Sequence, residues 1–225
     1  MRTYIVLAAA LVYALLQPST NAADLSLRVT EKEPPKELDA SIIGKLQTKP
    51  VQLLEGDKPI YEFWFVSELP LKSKPASAGK ALDQIKEATL LGAVAVSKSQ
   101  RDYRDDDLAA GVYTMRFAFQ PQDGNHLGTA EFNYFAVLVP AKLDRSPDGI
   151  ADYKKLVKTS GRETSSGHPI ILSLRPPSSE SGDMPKLNDP APEHKSVRVK
   201  VPAKVSGGEQ AAAIFEIVYE GKGHK

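Results

Sequence analysis

The chain contains no cysteine among its 225 residues. Disulfides, thiolate metal sites and lipid attachment to a cysteine after an export signal are therefore excluded. An excess of charge of one sign is also lacking, because 29 basic side chains stand against 28 acidic ones. Nucleic acid and anionic membranes attract proteins with a basic excess. The expected partners therefore do not include nucleic acid, and the fold must be held by its core alone.

Long apolar runs are absent beyond the first 22 residues. There, Arg2 precedes the uncharged run Ile5–Leu16, which ends before Pro18. This pattern is typical of a secretory signal peptide, and the run is too short for a stable membrane anchor. The small residue Ala22 predicts cleavage before Ala23. We expect a secreted or periplasmic protein of 203 residues with no membrane anchor, formally neutral and large enough to bury a core.

Alternation of apolar and polar residues dominates the rest of the chain, and Ser196–Val201 shows it most clearly. Such alternation is typical of strands with one buried face. Clusters of Gly, Pro, Asp and Ser separate the strands. The sequence predicts one all-β domain over residues 23–220, an antiparallel β-sandwich of immunoglobulin-like or related type. Its nine strands are expected at Leu25–Thr30, Ser41–Gln47, Ile60–Val66, Thr89–Ser97, Val112–Gln120, Phe132–Val139, Ile170–Arg175, Ser196–Val201 and Ala213–Glu220.

Helices are expected in only two places. Pro147 is placed to open a helix that runs to Lys158 and lies across a sheet, and Gly79–Glu87 carries a weaker helical pattern. Pro176–Lys195 is rich in Pro and Ser and poor in large apolar residues, so we expect a loop, either a disordered connector or a functional flap. Residues 221–225 are expected to form a flexible tail.

One stretch resembles known secreted modules. It reads Leu108-x-x-Gly-x-Tyr-Thr-x-Arg116 and continues as Gln120-Pro-x-Asp-Gly-Asn-His-x-Gly128. The first part is similar to the turn and strand of immunoglobulin-like and carboxypeptidase-regulatory-like sandwich domains. The whole stretch of about 25 residues resembles a group of uncharacterised secreted bacterial β-sandwich proteins. The resemblance implies a sandwich fold and brings no activity with it.

The candidate site lies in the second part of that stretch, at Asp123, Asn125 and His126. Asp-Gly and Asn are turn residues, so one interpretation is a connection between two strands. The other is a calcium or transition-metal site at the end of the sandwich, with Asp105–Asp107 or Glu131 reaching in. The aspartate run itself is either a solvated turn or a calcium ligand. His126 and His168 have no helical metal-site spacing, although folding can bring them together.

Large side chains on both faces mark Ile60–Val66, where Tyr61, Phe63 and Phe65 alternate with Trp64. We interpret this segment as a central strand, covered on one face by a second sheet and on the other by the 147–158 helix. The alternative is an exposed aromatic row on which sugar rings stack.

No catalytic motif of a zinc protease, serine hydrolase, P-loop or dinucleotide-binding enzyme is present. The sequence favours a non-catalytic module that binds an extracytoplasmic protein, an envelope polymer or a sugar, without a cofactor. The first alternative is a metal-binding protein that uses the Asp123–His126 loop. The second is an enzyme with a dispersed carboxylate site, because such pairs follow no local spacing rule.

The cleavage site is open to direct measurement. Expression in an exporting host should give a mature protein that begins at Ala23 or Asp24, because the apolar run and the small residue before Ala23 suit signal peptidase. Intact-mass and N-terminal mass spectrometry of the extracytoplasmic fraction test this. Material that keeps Met1 outside the cytoplasm would contradict it.

Overall fold

The computed structural model describes residues 25–122, 129–191 and 194–223. Within these residues the chain is mostly β with a few short helices, as expected. The strands are β1 (Leu25–Val29), β2 (Val51–Glu55), β3 (Lys58–Phe65), β4 (Leu69–Leu71), β5 (Leu90–Val96), β6 (Gln100–Arg101), β7 (Asp107–Leu108), β8 (Gly111–Phe119), β9 (Tyr134–Pro140), β10 (Ile170–Arg175), β11 (Lys186–Ala191), β12 (His194–Val205) and β13 (Gln210–Glu220). The α-helices are α1 (Ala40–Ile43) and α2 (Tyr153–Ser160), and 3-10 helices cover Ala78–Gln84, Ala141–Leu143 and Gly161–Glu163.

Eleven of the strands in the described part of the chain form one curled sheet, in the order β1-β2-β3-β5-β8-β9-β10-β13-β12-β11 with β4 beside β12. The curl is shown by Phe65 of β3, whose ring lies edge-on to Phe215 of β13 at 6.1 Å. In sheet order these two strands are separated by four others. The end strands β1 and β11 approach each other, so the sheet closes around its core as a half-barrel.

The sheet differs from the expected antiparallel sandwich in two respects. Its strands follow one another in a single hydrogen-bonded sequence, and one pair, β4 with β12, is parallel. The parallel pair arises because β4 leaves the end of β3 and crosses to Ala203–Val205, beyond the part of β12 that pairs with β11. Alternation in the sequence shows which strands have one buried face, but it carries no information on which strands become neighbours.

The concave face of the sheet holds the main core. Tyr61, Phe63 and Phe65 project into it with at most 5% of each side chain exposed, and their rings stack along β3. The interpretation of β3 as a core strand is therefore confirmed, and the exposed sugar-stacking row is wrong. On the other face, Trp64 is also buried and donates its indole N–H to the carbonyl of Lys32 at 3.1 Å.

The expected strand at Ser41–Gln47 is wrong, because α1 occupies its first half. Asp39 caps this helix by accepting a hydrogen bond from the Ser41 amide at 3.0 Å, and Gly44 ends it. The cap supplies a partner for an otherwise free amide, which favours the helix over an extended chain. Three strands were not expected: β2 and β4, which are short and apolar without clear alternation, and β11.

The second helix begins later than expected. Asp152 caps α2 by accepting from the Lys155 amide at 2.8 Å, so Pro147 lies in the preceding turn instead of opening the helix. Leu156 packs with Val137 and Val139 on the convex face of β9, and not over β3 as expected. The weaker helical pattern at Gly79–Glu87 is a 3-10 helix over Ala78–Gln84.

The Pro-rich segment 176–195 is more regular than a loop. Its second half contains β11, which pairs antiparallel with β12. In its first half, Glu180 bonds to the hydroxyl of Ser77, and the hydroxyl of Ser178 accepts from Arg198 at 2.9 Å. Composition missed these contacts because they are made by backbone pairing and polar groups, not by burial of large apolar side chains.

Gly92 makes the close approach of β3 and β5 possible. A Cβ at this position would overlap the carbonyl oxygen of Trp64 and lie 2.9 Å from the Cα of Phe65. We predict that Gly92→Ala destabilises the fold by about 3 kcal/mol, as severe overpacking does. Gly56→Ala is the control, because that Cβ meets nothing within 4 Å and only its positive φ costs about 1 kcal/mol. Equal midpoints in guanidinium denaturation for the two variants would contradict this.

Candidate functional site

The predicted site residues Asp123, Asn125 and His126 lie outside the described residues, so the metal interpretation of their loop stays a prediction. The two ends of the loop are held together. Gln120 donates its side-chain amide to the Thr129 hydroxyl at 2.6 Å and its backbone amide to the carbonyl of Asn133 at 2.9 Å.

The aspartate run Asp105–Asp107 is matched by basic side chains. Arg101 pairs with Asp107 at 3.0 Å, Arg104 with Asp106 at 3.4 Å, and Lys222 lies 3.9 Å from Asp105. Glu131, the other expected contributor, pairs with Arg175 at 3.1 Å. In the described ranges, no group of three or more His, Asp or Glu side chains is placed to hold a metal. These contacts favour the turn interpretation of the run.

Asp102, just before the run, fixes the turn to the sheet. Its carboxylate accepts from the amides of Arg104 at 2.8 Å, Asp106 at 3.0 Å and Ile171 of β10 at 3.0 Å. Burial raises the pKa of this carboxyl, and the three amide hydrogen bonds oppose that rise. The role of Asp102 is to hold the turn against β10.

The two described histidines of interest are apart from any such cluster. His168 is exposed in the connection between α2 and β10. The ring of His194 lies 5.7 Å from that of Tyr103, and its Nε2 is 3.1 Å from the carbonyl oxygen of Lys222. His194 therefore contacts the last described residues of the chain.

A buried ion pair is the most strongly connected polar feature of the structure. Arg116, on the convex face of β8, is 0% exposed and Asp144 is 1% exposed. The guanidinium donates to both carboxylate oxygens, from Nε at 2.7 Å and from Nη2 at 2.9 Å. The Thr114 hydroxyl adds a third donor to Asp144 at 2.6 Å. This two-point geometry is the strongest form of an arginine-carboxylate contact.

The same guanidinium also binds three backbone carbonyls. Nη1 donates to Ala88 at 2.8 Å and to Pro147 at 2.9 Å, and Nη2 donates to Ser146 at 2.8 Å. Arg116 thereby ties the turn before β5 to the segment before α2. Ala88 itself has φ 64°, a conformation that is unfavourable for a residue with a Cβ and that persists only where its surroundings impose it.

These two segments are walls of a surface groove with a volume of about 680 Å³. The other wall is formed by residues 44–45 and 66–70. Four buried apolar side chains lie along the groove: Val66, Ala88, Leu90 and Ile150. Volumes of a few hundred cubic ångströms lined by apolar groups with a few polar ones are typical of small-molecule sites. The groove is the best-formed candidate site in the described part of the chain.

Charged side chains surround this apolar surface. Lys45, Lys86 and Asp148 are exposed, and within the described residues none of the three has a side-chain hydrogen bond or ion pair. Glu68 differs, because Lys204 lies 3.5 Å from it. Glu87 accepts from the Phe119 amide at 3.4 Å. The groove can therefore offer two free ammonium groups and one free carboxylate to a ligand.

The sequence gave no direct signal for this groove, because four separate segments build it. An arginine in the otherwise apolar strand Val112–Gln120 was one available clue to a buried ion pair. Its partner Asp144 follows no spacing rule and was not identified. The predicted site near Asp123 and the groove are formed by different residues.

Comparison with protein-family models, with curated proteins and with solved structures gave no match. Within the described residues, no helix is long and apolar enough to cross a bilayer.

Breaking the buried pair should destabilise the fold strongly. We predict that Arg116→Met and Asp144→Asn each cost about 3–5 kcal/mol, because each leaves a buried polar or charged group unpaired. The double variant should cost less than the sum of the two, since the groups interact. Arg101→Met is the control: its pair with Asp107 is exposed, so it should cost less than about 1 kcal/mol. Chemical denaturation of the four variants measures this, and a similar cost for Arg116→Met and Arg101→Met would contradict it.

Proposed function

We propose that the protein is an extracytoplasmic, non-catalytic binding module whose ligand site is the groove bounded by residues 44–45, 66–70, 86–90 and 147–151. The observation that carries the proposal is an open groove of about 680 Å³ with a buried apolar surface and unpaired charges at its edge. Apolar contact supplies affinity in such a site, and a few placed charges supply orientation.

The support beneath the groove favours a preformed site. Arg116 fixes the carbonyls of Ala88 and Pro147 from below, so two walls share one rigid support. A binding site held in its bound geometry loses less entropy when its ligand arrives. The unfavourable φ of Ala88 is consistent with a surface shaped for contact, since such strain tends to occur at functional sites.

The export pattern of the first 22 residues places this activity outside the cytoplasm. The ligand class expected from the sequence, a protein, an envelope polymer or a sugar, must then present a small unit to the groove. We also propose a relation to sandwich modules, because β3 and β13 pack across one core as two facing sheets do.

Filling the groove tests the proposal. Gly44 lies in its wall with an ordinary helical φ of −64°, and an added Cβ would meet only the carbonyl oxygen of Ala40, at 3.6 Å. Gly44→Phe should therefore fold normally and obstruct the groove. The probe is the neutral fluorophore N-phenyl-1-naphthylamine, whose emission rises in apolar sites. We expect saturable binding to wild type and affinity weakened about tenfold or more, equal to 1.4 kcal/mol, in Gly44→Phe.

The matched control is Ser165→Phe, which adds the same ring at an exposed position between α2 and β10. It should bind the probe like wild type, and both variants should keep the wild-type thermal transition. Absence of saturable binding to wild type, or equal binding to wild type and Gly44→Phe, would contradict the proposal.

A further inference from the structure

The charges at the edge of the groove are not balanced once internal contacts are taken into account. Of its acidic side chains, Glu68 is near Lys204 at 3.5 Å and near the amide of Gln210 at 3.5 Å, and Glu87 accepts from a backbone amide. Their charges are partly satisfied within the protein. Asp148 remains, together with Lys45 and Lys86.

Two free ammonium groups and one free carboxylate leave a net positive charge available to a ligand. An ammonium group that has no partner within the protein keeps its full attraction for an anion. The adjacent surface of Val66, Leu90 and Ile150 is buried and apolar, and it favours a ligand with a hydrocarbon or aromatic body. The two requirements must be met by one molecule, because both sets of residues line the same groove.

We infer that the groove selects a small anion with an apolar body, such as an alkyl or aryl carboxylate. Its anionic end lies between Lys45 and Lys86, and its apolar body covers the Val66, Leu90 and Ile150 surface. This inference rests on the proposed function, since it names the ligand class of the same groove. It predicts selectivity by charge among ligands of equal length.

Three probes with the same chain length test the charge requirement: octanoate, octanamide and octyltrimethylammonium, each below its micelle-forming concentration. Isothermal titration calorimetry should give the order octanoate, octanamide, octyltrimethylammonium for wild type. Two exposed charges predict steps of about three- to tenfold. In the Lys45→Glu/Lys86→Glu double variant, octanoate should fall to or below octanamide, and the cation should gain affinity.

Lys200→Glu provides the matched control, because Lys200 is exposed on β12, does not line the groove and has no ion pair among the described residues. It makes the same charge change as one of the two test substitutions and should leave the wild-type order unchanged.

The outcomes separate the inference from the proposed function. Equal affinities for octanoate and octanamide in wild type, or an unchanged order in the double variant, would overturn the anion inference while groove binding stands. If none of the three probes binds, or if Gly44→Phe binds them as wild type does, the proposed function fails together with it.

Discussion

The contact between Arg116 and Asp144 is the interaction on which the rest of the site depends. One guanidinium, fully buried on the convex face of the sheet, satisfies a carboxylate and three backbone carbonyls. Those carbonyls belong to the turn before β5 and to the segment before α2, which are distant in sequence and adjacent in space. A neutral side chain in place of Arg116 would leave buried acceptors without donors, which is costly. The walls of the groove are therefore held by the same interaction that holds the loops on the sheet.

Polar contacts on the convex face repeat this arrangement elsewhere. Glu62 on β3 accepts from Lys32 with both oxygens at 2.8 Å, and this contact attaches the segment before α1. Arg198 pairs with the buried Glu216 at 3.1 Å and reaches Ser178 of the Pro-rich segment. The concave face, by contrast, is filled with aromatic and aliphatic side chains. The apolar interior thus supplies most of the stability, and the polar contacts outside it position the irregular segments.

Because its own side chains fill the interior of the curled sheet, the ligand site proposed here lies outside the core, where loops meet beside strand ends. Several segments contribute to it, and each is attached to the rigid sheet. This separation lets a stable core carry a recognition surface whose residues vary independently of packing.

The sequence by itself determined the mostly-β character, the core role of the aromatic strand and most of the strand positions, because alternation and residue size are local properties. It did not determine α1, whose cap at Asp39 outweighs an ambiguous pattern, or β11, which is made by pairing with β12. Strand order, the parallel β4 pair, the partnership of Arg116 with Asp144 and the groove were decided only by the tertiary structure. Each of these joins residues far apart in the chain, and such contacts depend on how the sheet curls, which no local pattern encodes.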